Sequence, residues 1–535
     1  MKLKYFLRHT GVACVLTSLA LGFTILPAAN AQSPFKNQPS NQPGSAAQNL
    51  PTVPNIPGIP GISSTPNQPR QAGAPPAVTG PGGPAGPGAQ AATAADVSGV
   101  ARQMYEQART KLLQIRVVAK GRTTQTGVGS GFYVTSDGLI MTNFHVISRV
   151  ALGPDKYQAL YLSADGQQGE LNLLAFDIRN DLALLRPTKA VEGLKFFSFR
   201  PPSVELNRGE RIFSMGNPLD IGFAVVEGTF NGLLERSFYP QIFFSGAINP
   251  GMSGGPAIDE QGRIVGINVA KRLDGDSVGF LVPASKGVAL IERQVAMAAK
   301  QTVKSEDPKP VDAKVTDTKV ADAKVTDAKG IEPKADKSGF IEVTKQLQAH
   351  QADLVERFMK EPFRPQTYGP YRIPLPQETF FRCWGADEKS SGYFKFERTD
   401  CRMDSRVFTG QINTGFFSLR HEVYDGRGLH PARYAAMFGQ SFRNEAFVLV
   451  KNGVRTLSQC EEKTIDQAGL ILRAVVCLSA LKKHIGLYDL NILVGSMNEN
   501  QAGLLARFDA GAVSYENSQR LLTKYLEGFS WQPAR

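Results

Sequence analysis

The 535-residue sequence predicts a multidomain protein: an all-β region, a disordered charged linker and an α+β C-terminal domain. Residues 112–283 hold many short β-runs punctuated by Gly, Asn and Asp, with little helix, which suits a sandwich or barrel rather than a βαβ sheet. Residues 301–338 repeat a short unit of the type Val-x-Asp-x-Lys in "VDAKVTDTKVADAKVTDAKG", too short a period for a solenoid and too polar to bury a core. Helical and strand patterns return near Phe340. A chain of this length exceeds one ordinary core.

The N-terminus opens with Lys2, Lys4 and Arg8, runs apolar from Val12 to Leu26 and reaches Ala29-Asn30-Ala31. That is the layout of a secretory signal peptide over residues 1–31. The competing reading is an uncleaved membrane anchor, which needs about 20 apolar residues; Thr17 and Ser18 interrupt a stretch already short for that. Cys14 lacks a preceding small-residue lipobox. The chain is therefore expected in the periplasm or secreted, and at a membrane only if this segment is retained. Residues 32–95 are rich in Pro, Gly, Gln, Ala, Ser and Asn and nearly uncharged, as in a disordered tether.

Order is expected from residue 96. Val97, Val100, Met104, Ala108 and Leu112 recur at helical spacing, so a helix covers about 96–110. "LLQIRVVAKG" and "GSGFYVTSDGLIMTN" then read as strands broken by turns. "PASKGVALIERQVAMAAK" closes the region at residue 300 as a helix with Val288, Ile291, Val295 and Ala298 on one face. In residues 339–535, "VTKQLQAHQADLVERFMK" is helical and aromatic-rich strands follow around 378–424. "HPARYAAMFGQSF" is helical, strands lie near 446–451, 470–478 and 488–496, and "SYENSQRLLTKYLEGF" ends the domain as a helix.

Removing the signal leaves Cys383, Cys401, Cys460 and Cys477. An even number in an exported chain reads as disulfides. Three pairings are possible, and the local one, Cys383–Cys401 with Cys460–Cys477, is favoured because a hairpin can close each short loop. No Cys-x-x-Cys spacing occurs, which argues against a zinc site. The net charge of +12 is spread along the chain without a basic helix or basic-aromatic strand, so nucleic acid is not an expected partner.

Chemistry concentrates in the first region, which holds one histidine, His145 in "MTNFHVIS". It is the natural base there near neutral pH, unless it is a packed core residue. Asp181 heads the apolar run Leu182–Leu185, an anchored seat for a carboxylate that orients an imidazole; Asp177 competes for that role. Ser253 lies in "NPGMSGGPAID". A serine hydroxyl needs a base to become a nucleophile, and donors for the oxyanion it creates. The backbone N–H groups of Gly251 and Ser253 can supply those donors, each worth about 10²–10³ in rate. Gly251 suits a backbone with φ > 0, and Gly254 and Gly255 are expected to leave room for the substrate and the histidine. The chain order His, Asp, Ser is that of chymotrypsin-like enzymes, with two residues on one barrel and the serine on a second.

Residues 110–300 resemble a trypsin-like serine protease of the HtrA (Do-like) branch. The resemblance rests on "GSGF" at 129–132, "TNFHV" at 142–146, "NDLALL" at 180–185, "GNP" at 216–218, "AINPGMSGGP" at 247–256, "GIN" at 266–268 and "GFLVP" at 279–283, in family order. It implies a double β-barrel and endopeptidase activity on protein or peptide substrates, unfolded chains among them, with no metal or cofactor. His145, Asp181 and Ser253 would be the catalytic residues, with Gly251 and Ser253 as the oxyanion hole. Met252 and Asp220 depart from the Asn and Gly common in the branch, and no PDZ-type carboxylate loop follows residue 300.

Met252 leaves no carboxylate beside the nucleophile, so activation by a new N-terminus is not expected. "RIVG" at 263–266 imitates an activation cut but falls within a strand after Ser253. Ala247, Ile248, Val269 and Ala270 are expected around the specificity pocket, without an acid, which suits a modest apolar side chain. The C-terminal domain reads as a recruiting, regulatory or anchoring module. The alternative for the whole chain is a binding or scaffold protein built on an inactive protease fold.

Overall fold

Two closed, six-stranded antiparallel barrels follow one another in the computed structural model. It describes residues 94–122, 124–218, 221–271, 277–304, 339–445 and 453–532. The expected signal peptide, nearly all of the tether, most of the linker, the strand near 446–451 and Asp220 lie outside these residues.

Helix α1 (Ala94–Ala108) leads into the first barrel. Its strands are β1 (Leu112–Ala119), β2 (Gln125–Tyr133), β3 (Ile140–Thr142), β4 (Tyr157–Ser163), β5 (Gln168–Asp177) and β6 (Leu182–Pro187), in the order β1-β2-β3-β6-β5-β4, with helix α2 (Phe144–Leu152) between β3 and β4. The second barrel has β7 (Arg211–Gly216), β8 (Ala224–Leu233), β9 (Ile242–Phe244), β10 (Pro256–Ile258), β11 (Ile264–Lys271) and β12 (Gly279–Pro283), in the order β10-β11-β12-β9-β8-β7.

Strand β1 illustrates the packing. Successive side chains point to opposite faces, so Leu113, Ile115 and Val117 enter one core while Leu112 joins another against Phe213, Met215 and Ile267 of the second barrel. This inter-barrel core also takes Met104 and Ala108 of α1 and Leu290 of helix α3 (Ala284–Lys304). The buried face of α3 differs from the expected one. Gly287 and Leu290 are the buried residues, Ile291 is half-buried, and Val295 is 63% exposed, because the helix lies against the barrels with only its N-terminal turns.

The C-terminal region opens with helix α4 (Phe340–Lys360). Strands β13 (Arg364–Tyr368) and β14 (Tyr371–Leu375) form a small sheet with the last strand, β24 (Ser530–Trp531). The main sheet has seven antiparallel strands: β15 (Phe381–Ser391), β16 (Phe394–Met403), β19 (Phe417–Asp425), β23 (Ala502–Ser514), β22 (Leu487–Ser496), β21 (Leu470–Ala480) and β20 (Gln459–Gln467), in that spatial order. Strands β17 (Val407–Phe408) and β18 (Asn413–Thr414) pair separately. Helices α4 and α6 (Tyr515–Glu527) cover one face of the main sheet, where Phe358 and Tyr525 stack on Phe508. Helix α5 (Pro431–Glu445) covers part of the other through Tyr434 and Phe442. Disulfides Cys383–Cys401 and Cys460–Cys477 join directly opposite residues and tie both edge strands, β15 and β20, to their neighbours.

The two regions are not merely tethered. Val343 and Leu347 of α4, with Val407, Leu481, Leu487 and Ala512, share one hydrophobic cluster with Phe144, Ile147 and Val150 of α2 and the interior of the first barrel. Residues 92–535 form one compact unit. The apolar face of α4 thus closes the barrel behind the helix that carries His145.

Candidate active site

His145 is the second residue of α2, where helical N–H groups have no intrahelical partner. Asp181 takes one of them: its Oδ1 accepts the His145 N–H at 2.8 Å, and its Oδ2 lies 2.6 Å from His145 Nδ1. A carboxylate at a helix N-terminus is favoured by the helix dipole, so the same group caps α2 and orients the imidazole. With Nδ1 donating, Nε2 carries no proton in the neutral ring and can accept one. Burial lowers the pKa of His145, but the charge and hydrogen bond of Asp181 outweigh it and hold the pKa above its ordinary value.

Asp181 is held in a left-handed conformation, φ +53°, which L-residues adopt at a cost. Its carbonyl accepts from Asn143 Nδ2 at 2.8 Å and from the Phe144 N–H at 3.2 Å, which offsets that strain. Asp177, the competing carboxylate, faces elsewhere. It is buried, accepts from Asn180 at 2.9 Å and pairs with Arg293 of α3 at 2.8 Å. Its burial would raise the carboxyl pKa, but the Asn180 hydrogen bond and the charges of Arg293 and Arg179 lower it overall.

Ser253 stands in the turn before β10, on the second barrel. Its hydroxyl donates to the Val269 carbonyl at 3.0 Å, and no hydrogen bond joins it to His145. Gly251 has φ +95°, and the N–H groups of Gly251 and Ser253 donate to no group among the described residues. Gly254 and Gly255 need correction. A Cβ on Gly254 would meet Ser130 O and Thr142 Oγ1 at 2.4 Å, and one on Gly255 would meet Met215 O at 2.1 Å. Gly254 lets this turn close on the first barrel, and Gly255 lets it pack on β7 of its own barrel; the expected reason, room for substrate and histidine, is not the constraint.

Sequence reasoning gave no role to two side chains that hold this turn. Ser130, in "GSGF", donates through N–H to Ser253 O at 2.8 Å and through Oγ to Gly251 O at 2.7 Å. Asn268, in "GIN" and fully buried, donates to Met215 O at 2.8 Å and Met252 O at 3.2 Å, and accepts from Ser214 at 2.8 Å. Their only signal was their place in short motifs. Met252 is fully buried among Ile248, Phe244 and Leu281.

Of the expected pocket residues, Ile248 is 2% exposed and packs into that same cluster, whereas Ala247 and Val269 are half-buried. The side chain of Ala270 lies outside the described residues.

The C-terminal region reaches two loops of the barrels. Gln346 of α4 accepts the Ile178 N–H at 2.8 Å and donates to Phe176 O at 3.0 Å, bracketing the turn that leads to Asp181. Between β8 and β9, Phe238 packs edge-on against Phe380 and His350, its N–H reaches Ser405 Oγ at 3.0 Å, and Tyr239 OH meets His350 Nδ1 at 2.7 Å. His350 Nε2 lies 2.8 Å from Gly415 O, which can only accept, so Nδ1 is the acceptor for Tyr239.

Residues 129–267 match the model of the trypsin-like peptidase domain. A DegP-like periplasmic serine endoprotease from Ectopseudomonas mendocina is 30% identical over 218 residues, 39% of this chain and 42% of that protein. A DegP-like counterpart from Bartonella henselae is 32% identical over 174 residues, 31% of this chain and 33% of its own. The serine protease HhoB of Synechocystis is 31% identical over 167 residues, 30% of this chain and 38% of its own. The chain thus matches less than half the length of these relatives.

Proposed function

We propose that this chain, which carries a trypsin-like peptidase domain of the HtrA branch, is a serine endopeptidase acting on protein substrates in the cell envelope. The observation that carries the reading is the two-point seat of Asp181 on His145, which presents Nε2 as a base. In the proposed reaction Ser253 Oγ turns from Val269 O to His145 Nε2, loses its proton to it and attacks the substrate carbonyl. The N–H groups of Gly251 and Ser253 receive the oxyanion. Imidazolium, stabilised by Asp181, then protonates the leaving amine, and water releases the acyl group by the reverse transfer. The disulfides suit an oxidising compartment, and the relatives named as periplasmic endoproteases support the same location; a role in protein quality control is part of the proposal.

A second reading, a binding scaffold without turnover, is favoured by one feature: the bond from Ser253 to Val269 instead of to His145. A fluorophosphonate probe separates the two. The endopeptidase labels and degrades unfolded casein, and Ser253→Ala does neither. Native protein that neither labels nor cuts casein would sink the endopeptidase reading.

A further inference from the structure

Among the described residues, one face of the seven-stranded sheet is covered only in part. Helix α5 packs over Phe394, Tyr424, Leu493 and Leu505; beyond it lies a pocket of about 660 Å³ floored by β15, β16, β19 and β23. Strand register places Trp384, Asp400, Arg420 and Arg507 in a row, each opposite the next, and Arg382, Arg402, Ser418 and Asp509 in the adjoining row. Two like-charge pairs therefore face each other directly, Arg382 with Arg402 and Arg420 with Arg507. Such pairs destabilise a sheet.

Most of this charge is answered within the protein. Arg420 meets Asp400 at 2.8 Å and Glu445 at 3.0 Å, Arg507 meets Asp509 at 2.9 Å, and Arg382 meets Asp404 at 3.1 Å. Arg402 and Arg406 are not answered: neither has a carboxylate partner among the described residues. Arg402 lies over the ring of Trp384 at 4.9 Å and Arg406 over Phe416 at 4.5 Å. A guanidinium stacked on a ring keeps its N–H edge available and loses little freedom on binding. Trp384 is 40% exposed, large for a residue that packs so well. Tryptophan and arginine are also the side chains that dominate protein interfaces.

We propose that this pocket docks an extended, carboxylate-bearing peptide segment, held by Arg402 and Arg406 and packed on Trp384. Arg420 and Arg507 take up Asp400 and Asp509, which leaves Arg402 and Arg406 for the carboxylate of the peptide, and the exposed face of Trp384 favours a peptide over free phosphate. The edge position of β15 leaves the chain of such a peptide free to run off the sheet. The site is independent of the proteolytic reading, and its test needs no turnover.

The full chain is titrated calorimetrically with acetylated hexaglutamate, hexalysine and inorganic phosphate, with Trp384 emission as the locating signal. Saturable hexaglutamate binding is expected, with an emission change absent from Trp384→Phe. Arg402→Ala/Arg406→Ala should weaken it about tenfold or more, a loss of at least about 1.4 kcal/mol. Arg402→Lys/Arg406→Lys, which keeps the charge but not the fork, should fall between. Absence of saturable binding, unchanged affinity in the double alanine variant with near-UV spectra like the native chain, or phosphate bound as tightly as the peptide would each overturn the proposal.

Discussion

Gln346 and Ile178 are 168 residues apart, yet the Gln346 side chain takes the Ile178 N–H at 2.8 Å and returns a bond to the neighbouring carbonyl of Phe176. A helix of the C-terminal region thus completes the backbone pairing of the turn before Asp181. Gln346→Ala strands both groups, a loss of about 1–3 kcal/mol. Chemical unfolding should register that loss, and fluorophosphonate labelling should slow as the seat of Asp181 loosens. Gln346→Glu keeps the acceptor for Ile178 and should recover part of both. A variant with native stability and native labelling rate would mean that α4 contributes nothing to the turn.

The rate of labelling should rise with pH, because in the proposed reaction only neutral His145 can take the Ser253 proton. Asp181 holds the imidazole pKa above its ordinary 6.5, so the midpoint should lie above that value. Asp181→Asn removes the opposing charge and leaves burial in control; the midpoint should move toward acid while the plateau falls by about 10⁴. The same pair stabilises the fold fully below pH 6.5 and loses that contribution as pH rises through the folded pKa. An unmoved midpoint in Asp181→Asn would remove Asp181 from the proposed role.

His350 should make the fold acid-sensitive. Burial pushes its pKa down to about 4, and the neutral ring bridges Tyr239 and Gly415. Between pH 6.5 and 4 the unfolded chain binds a proton that the folded chain refuses, so stability present above pH 6.5 is lost as pH falls, up to about 3 kcal/mol. His421, buried against Tyr525 and pushed to about 3, adds a parallel loss. Urea unfolding at pH 7 and pH 5 should give a smaller acid loss for His350→Gln than for the native chain. Equal losses would exclude His350 as a contributor.

Met252→Asp tests whether the residue before Ser253 is purely a core residue. A carboxylate placed in its fully buried seat has no cation to meet in that cluster. The fold should lose about 3 kcal/mol or more, visible as a lowered thermal midpoint, with slower labelling. A more active and equally stable variant would instead point to acid-driven activation.

Removing Cys460–Cys477, by Ser at both positions, frees edge strand β20. The loss should be about 3 kcal/mol for a loop of this length, read by chemical unfolding against the native chain under oxidising conditions. An unchanged midpoint would mean that the cross-strand bonds alone secure the edge.

Much of the site was legible along the chain because its parts are local. The lone histidine of the first region, the aspartate heading the apolar run of β6 and the serine among glycines each stand in short motifs whose residue types suit the proposed chemistry. The short β-runs punctuated by Gly, Asn and Asp likewise marked the all-β region as a sandwich or barrel, and the hairpin spacing favoured both disulfides. What the sequence left open was decided by packing between distant segments. Asp177 and Asp181 sit four residues apart; only the fold turns one to Arg293 and the other to His145. Gly254 owes its identity to Ser130 O and Thr142 Oγ1 of the first barrel, and Gly255 to Met215 O of the neighbouring strand β7. Ser253 finds Val269, Ser130 finds Gly251, and α4 finds α2 across a long chain separation. Propensity and periodicity describe neighbours in sequence. These contacts follow from which buried faces meet, a condition that only the assembled cores impose.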